Sequence, residues 1–182
     1  PARVPFELAV APGNSTSVND AIYTLPVGGL DIGKTYVIMA AGVVGDPTKP
    51  FQLYVNADGR DRSQNAGTVD LALFHGAPDA PEVDVQVPAG GILFDNISFG
   101  EFSNYVSVPA SNYIVQVTPA NDNNTIVQSY TANVSTLGGQ AATVFASGFL
   151  AGQPGFEVWV ALTDGTTFPL PVFVSTNDLD GK

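Results

Sequence analysis

The chain has 182 residues, 45% of them hydrophobic, and a formal net charge of −11 from 17 Asp plus Glu against 6 Lys plus Arg. That apolar share suffices for a packed core and excludes global disorder. The negative field, with no basic stripe to offset it, excludes nucleic acid as a partner.

No cysteine occurs, which removes disulfide staples, zinc–thiolate sites and a cysteine nucleophile, and leaves the core to hold an exported domain together. The 19 Gly and 14 Pro accompany runs rich in Val, Ile, Thr, Phe and Tyr, which predicts an all-β chain of short strands and tight turns. The longest apolar stretch, Tyr36 to Val44, suits a buried strand and is too short for a membrane span, so membrane insertion is not expected. The opening at Pro1, without a Met or a leader-like segment, suggests a processed or excised piece.

In chain order, the first expected strand is Phe6–Val10, running into the turn Pro12-Gly13-Asn14. A strand at Ile22-Tyr23-Thr24, the apolar run Tyr36–Val44 and the alternating run Phe51–Val55 follow, the last leading into Asp58-Gly59. The polar stretch Asn56–Gly67, with Arg60 and Arg62, reads as a domain boundary. Beyond it come Val69–His75, Glu82–Val87, Ile92–Phe94 and Tyr105–Val108. In Glu82–Val87 the valines take one face, and Glu82 and Asp84 the other. From Tyr113 onward the chain repeats its own beginning. Tyr113–Val117 with Pro119-Ala120-Asn121 answers Phe6–Val10 with its turn, and Ser129-Tyr130-Thr131 answers Ile22-Tyr23-Thr24. Thr143–Gly148 answers Tyr36–Gly42, and Phe156–Val160, before Asp164-Gly165, answers Phe51–Val55. Tyr36–Val44 and Thr143–Leu150 are apolar on both faces and should be central strands or be covered on both sides. The front strands of the second copy, Thr68 to Ala110, have no counterpart in the first. The expected organisation is a partial β-sandwich repeat over residues 1–60, a complete repeat over 61–174 and a polar tail over 175–182.

Two motifs carry a family resemblance. His75-Gly76-Ala77-Pro78-Asp79-Ala80-Pro81-Glu82-Val83-Asp84-Val85 and Phe99-Gly100-Glu101-Phe102-Ser103-Asn104-Tyr105, leading on through Pro109-Ala110 to Tyr113, resemble the signature of a bacterial family, domain of unknown function 4397. Ser111-Asn112 replaces its usual small-Gly turn, and the first copy lacks both motifs. The resemblance implies tandem antiparallel β-sandwich (immunoglobulin-like) domains in exported bacterial proteins, an extracellular or cell-surface location and no established enzymatic activity. Phe168-Pro169-Leu170-Pro171 resembles the end of the last such domain before a sorting signal.

His75 is the only histidine. Pro78 and Pro81 fix φ, and Asp79 can bond its own backbone, so the stretch reads as a rigid turn rather than a catalytic site. No catalytic residue is assigned and no enzyme is expected. Asp79, Glu82 and Asp84 read as solvated acids or, as oxygen ligands of the kind calcium needs, as a site for the one cofactor considered, and Asp178-Leu179-Asp180-Gly181 has a similar flavour without the remaining ligands. Tyr54 and Trp159 hold equivalent outward positions and could pack on a neighbouring domain or stack on a glycan. The expected function is a structural or adhesive module of a surface protein or filament. Its partners would be neighbouring copies of itself or other domains of the same protein, joined by strand and apolar-face complementation. A carbohydrate-binding module is the alternative.

Overall fold

The described residues of the computed structural model are 5–27, 29–88 and 90–175. Among them the short apolar runs become strands, joined by one 3-10 turn at Val18–Asp20 and by no α-helix. The chain divides into two units, Pro1–Gly59 and Arg60–Lys182. Of the expected tail over 175–182, all but Ser175 lies outside the described residues.

The first unit contains two antiparallel ribbons. Strand β1 (Phe6–Val10) pairs with β2 (Tyr23–Val27), and β3 (Thr35–Ala41) with β4 (Gln52–Gly59). The expected Asp58-Gly59 turn is instead the end of β4. A register shift between Thr35 and Val37 lets Gly59 pair with Thr35, and Lys34 Nζ meets Asp58 Oδ1 at 2.9 Å beside it. Gly59 is required there, because a Cβ would lie 2.9 Å from the Thr35 carbonyl oxygen.

The second unit contains β5 (Thr68–His75), β6 (Val83–Val87), β7 (Gly91–Ile97), β8 (Val106–Pro109), β9 (Asn112–Pro119), β10 (Gln128–Asn133), β11 (Ala141–Ser147), β12 (Glu157–Leu162) and β13 (Thr167–Pro169). They form a four-stranded sheet in the order β10-β9-β6-β7 and a five-stranded sheet in the order β13-β12-β11-β5-β8. One apolar cluster draws on both sheets: Val83, Val85 and Val117 from one, Leu71, Leu73 and Val160 from the other. The pairings are antiparallel except one, since β5 and β11 run parallel. The expectation of purely antiparallel sheets fails at this pair, because strands joined by a long crossover can lie side by side in the same direction. After β13 the chain crosses to the other sheet, where Thr131 N–H donates to Pro171 O (2.8 Å) and Phe173 N–H to Ser129 O (2.9 Å).

The two units use the same backbone devices. Gly42 and Gly148 both have positive φ, 103° and 81°, and a Cβ on either would lie 2.2 or 2.1 Å from a carbonyl oxygen across the loop, Pro50 or Gly155. Ile22 N–H donates to Val10 O, and Val127 N–H to Val117 O, each at 2.8 Å. These bonds correct the sequence match in one place. With Leu8 opposite Leu25 and Val115 opposite Tyr130, Tyr130 answers Leu25 and not Tyr23. The slip is of two residues and so keeps the same face.

Burial separates the units. Among the described residues of the first, Ala41 alone is a buried apolar side chain. The expected central position of Tyr36–Val44 is therefore not found: β3 is half-buried and has a strand on one side only, whereas its counterpart β11 lies between β12 and β5. Val55 is 48% exposed, while Val160 at the equivalent position is 1% exposed. Val160→Ala is accordingly expected to lower the unfolding free energy by about 2 kcal/mol, and Val55→Ala by less than about 0.5 kcal/mol. Denaturant unfolding of the two variants checks this, and equal losses would contradict the difference in packing.

Candidate functional site

The two signature motifs meet along the end of β5. Gly100 N–H donates to His75 O (2.8 Å) and His75 N–H to Glu101 O (3.1 Å). One residue pair back, Ser103 N–H donates to Leu73 O, and Ser103 Oγ accepts from Leu73 N–H, each at 2.8 Å. The Phe74 and Phe102 rings stack with centroids 4.6 Å apart, and Phe99 stands edge-on to His75. Ser and Gly at these spacings let the second motif run alongside β5 as an irregular partner where β8 has not yet begun.

His75 is 1% exposed, and its Nε2 lies 3.0 Å from Pro81 O, so the ring closes the Pro-Asp-Ala-Pro turn from inside. Pro78 is buried and Pro81 exposed. Asp79 turns outward from that rigid loop. Its Oδ1 accepts from Leu150 N–H (2.8 Å) and its Oδ2 from Ala151 N–H (3.0 Å). The Ala151 amide holds the Asp79 carboxyl below its ordinary value, partial desolvation opposes this, and the Leu150 amide adds to it. Asp79 thus clamps the loop that begins at Gly148.

Asp84 departs from the sequence expectation. It does lie opposite the valine face, but that face is covered, and the residue is 1% exposed. Its carboxylate accepts from Asn96 N–H (2.7 Å) and Asn121 N–H (3.4 Å). Both asparagines have positive φ, 53° and 63°, a conformation Asn tolerates better than most residues. Glu82 is exposed and accepts from Ser98 Oγ at 3.2 Å. The expected calcium triad of Asp79, Glu82 and Asp84 is therefore not assembled: Asp79 is engaged by the loop after β11, whereas Glu82 and Asp84 are engaged by Ser98, Asn96 and Asn121. Among the described residues no three of His, Asp and Glu come together as a metal-holding group. Asp178-Leu179-Asp180-Gly181 lies outside the described residues.

Tyr54 and Trp159 are both half-buried and occupy matching places, cross-strand from Met39 and Phe145. Trp159 Nε1–H donates to Glu157 Oε2 at 2.9 Å. They belong to separate units.

The cluster that sequence reading missed is centred on Asp70, a carboxylate with no exposure in the middle of an apolar strand. Arg60 Nη1–H, Ser63 Oγ–H and Ser107 Oγ–H all donate to it. Burial alone would raise the Asp70 carboxyl, but the hydrogen bonds from Ser107, Arg60 and Ser63 outweigh it and hold the group below its ordinary value. The Arg60 guanidinium also lies over the Tyr105 ring, 4.9 Å from its centre, and Arg60 N–H donates to Tyr105 Oη. The signal was present in the sequence as a charge inside Val69-Asp70-Leu71, ten residues after the arginine.

Residues 69–168 match the family model described as Domain of unknown function (DUF4397). The chain belongs to the DUF4397 family. Comparison with the curated proteins and with the solved structures gives no match. In this DUF4397 domain the signature residues serve as clamps between loops and strands, and the interior between the sheets holds an apolar cavity of about 120 Å³ bordered by Leu73, Val85, Val144 and His75.

Asp70→Ala is expected to lower the unfolding free energy by about 2–3 kcal/mol, since it removes a charged acceptor of three donors; urea unfolding followed by Trp159 fluorescence measures it, and an unchanged midpoint contradicts the clamp. A depressed carboxyl contributes stability above its unfolded value, about pH 4, and loses it as pH falls through the folded value. The amide proton shifts of Leu150 and Ala151 are expected to titrate below that ordinary value and to stop titrating in Asp79→Asn. An inflection at the ordinary carboxyl value, or one that persists in the variant, counts against the Asp79 clamp.

Proposed function

We propose that this protein is a non-enzymatic structural or adhesive module of a bacterial cell-surface protein or extracellular filament. It consists of tandem immunoglobulin-like sandwiches, the first represented among the described residues by its back strands, and it associates through strand and apolar-face complementation. The observation that carries the reading is the pair Val55 and Val160: same strand position, 48% against 1% exposed. The first unit has the ribbons equivalent to β9–β10 and β11–β12 but, among the described residues, nothing equivalent to β5 and β6. A sheet edge with open N–H and C=O groups beside an uncovered apolar face is a template for another strand. The absence of cysteine and the acidic surface suit an exported bacterial module, whose neighbouring copies or sister domains supply the missing contacts.

At high dilution the amides of Phe6–Val10 and Thr35–Ala41 are expected to exchange at least about 100-fold faster than those of Asn112–Pro119 and Ala141–Ser147. The difference should shrink with rising concentration as the light-scattering mass climbs above 18.9 kDa. A monomer in which both sets of strands are equally protected at every concentration overturns the proposal.

A further inference from the structure

We infer that the space between the two sheets of the second unit is a binding site for the alkyl chain of a neutral amphiphile, and that the loop from Gly148 to Gly155 is its lid. Every residue involved belongs to the second unit, so the inference goes beyond the assembly reading above and does not depend on it.

The cavity of about 120 Å³ lies where side chains of the two sheets would ordinarily leave few voids larger than a water. Its lining side chains are apolar apart from the rings of His75 and Tyr130. A water held there would need two or more polar partners, whereas an engineered apolar cavity of about 150 Å³ stays dry and takes up benzene. The walls gain dispersion contacts from an apolar occupant. Length selects a chain over a ring. Leu71, Leu73 and His75, alternate residues of β5, all line the space, which makes it about 13 Å long at a rise of about 3.3 Å per residue. A volume of about 120 Å³ spread over that length is a narrow slot.

The slot opens at one end. Of its lining residues, Pro81, Val127 and Leu150 are exposed, the last two at 45%. Pairing puts all three at the same end of the sandwich. His75 is opposite Ala146 toward the ends of β5 and β11, and Val117, which accepts from Val127 N–H, is opposite Val85. Leu150 reaches the slot from the loop after β11. That loop is pinched at its neck, where Phe149 N–H donates to Pro154 O at 2.9 Å. Asp79 holds it down through the amides of Leu150 and Ala151. Residues 151–155 beyond the neck are exposed, as is Asp79 itself, and segments held by exposed hydrogen bonds open at low cost. The same carboxylate, with the exposed Glu82 beside Pro81, makes the entrance negative. A neutral head group can rest there, and a carboxylate head is repelled.

Methyl NMR of the full chain, titrated with 1-alkanols from butanol to decanol, tests this. The methyl signals of Leu71, Leu73, Val144 and Leu150 should shift, while those of the exposed Val18 and Ile32 stay in place. Affinity should rise about three- to fourfold per methylene until the slot is filled, and then level off. Octanoate should bind at least about tenfold more weakly than octanol. Asp79→Ala should speed both capture and release of octanol at least about tenfold, with the dissociation constant changed by less than about threefold. Ala146→Leu, near the mouth, should abolish the shifts. Should that variant fail to fold, Ala132→Leu, deeper in the slot, should move the levelling point to a shorter alkanol. Shifts shared equally by the exposed methyls, no saturation up to the solubility of octanol, or an octanoate affinity equal to that of octanol overturns the site. Capture and release rates unchanged in Asp79→Ala overturn the lid.

Discussion

The parallel pairing of β5 with β11 is the contact on which the second unit depends. β5 is the first strand of its unit and is buried from Val69 to His75. On one edge it meets β8, which follows β6 and β7 in the chain, and on the other β11, which arrives only after all four strands of the opposite sheet have been laid down. The front half of the domain supplies one side of this contact and the back half the other. Neither half can bury its apolar face alone, and Val69 and Val160 reach exposures of 0% and 1% only because both are present. Loop-closure entropy makes such a contact costly to form, which gives the residues around β5 their importance.

Several of those residues belong to the two signature motifs, and Asp70 stands beside them; their contacts follow from their positions in the fold. Asp70 anchors the start of the unit through Arg60 and Tyr105. His75 and Pro78 stiffen the exit from β5, Asp79 clamps the loop after β11, and Asp84 clamps the bend of β7 and the turn after β9. A carboxylate is well suited to this work, since two lone-pair-rich oxygens can each accept from a backbone amide that regular pairing leaves unmet. The acidic composition thus has two origins, solvated turn residues and a small set of internal acceptors that hold irregular backbone in place.

Much of this was legible in the sequence. Strand type followed from alternation at Glu82–Val87 and from the continuous apolar run at Thr143–Leu150, and the repeat placed Tyr54 and Trp159 at matching cross-strand positions. Three things were not legible, each for a physical reason. The repeat was aligned at Tyr23 and Tyr130 on residue identity, whereas the register is pinned by backbone bonds at Ile22 and Val127, which leave no mark on side-chain type. Asp84 was assigned to water because alternation tells which face a residue takes but not whether that face is covered. Closeness in sequence suggested that Asp79, Glu82 and Asp84 share a cation, but the turn sends Asp79 to the loop after β11, while Asp84 is buried against backbone amides and Glu82 is exposed.

The segment after β13 ties the two sheets of the second unit to each other. Phe168 pairs with Val160 in one sheet, Leu170 is buried in the common core, and within three more residues Phe173 is bonded to Ser129 in the other sheet. The chain is laced across both layers before it leaves them. Tension applied from that side cannot peel a single edge strand away. It draws on hydrogen bonds in both sheets and on the side chain wedged between them, so the layers are pulled together as one body before either yields.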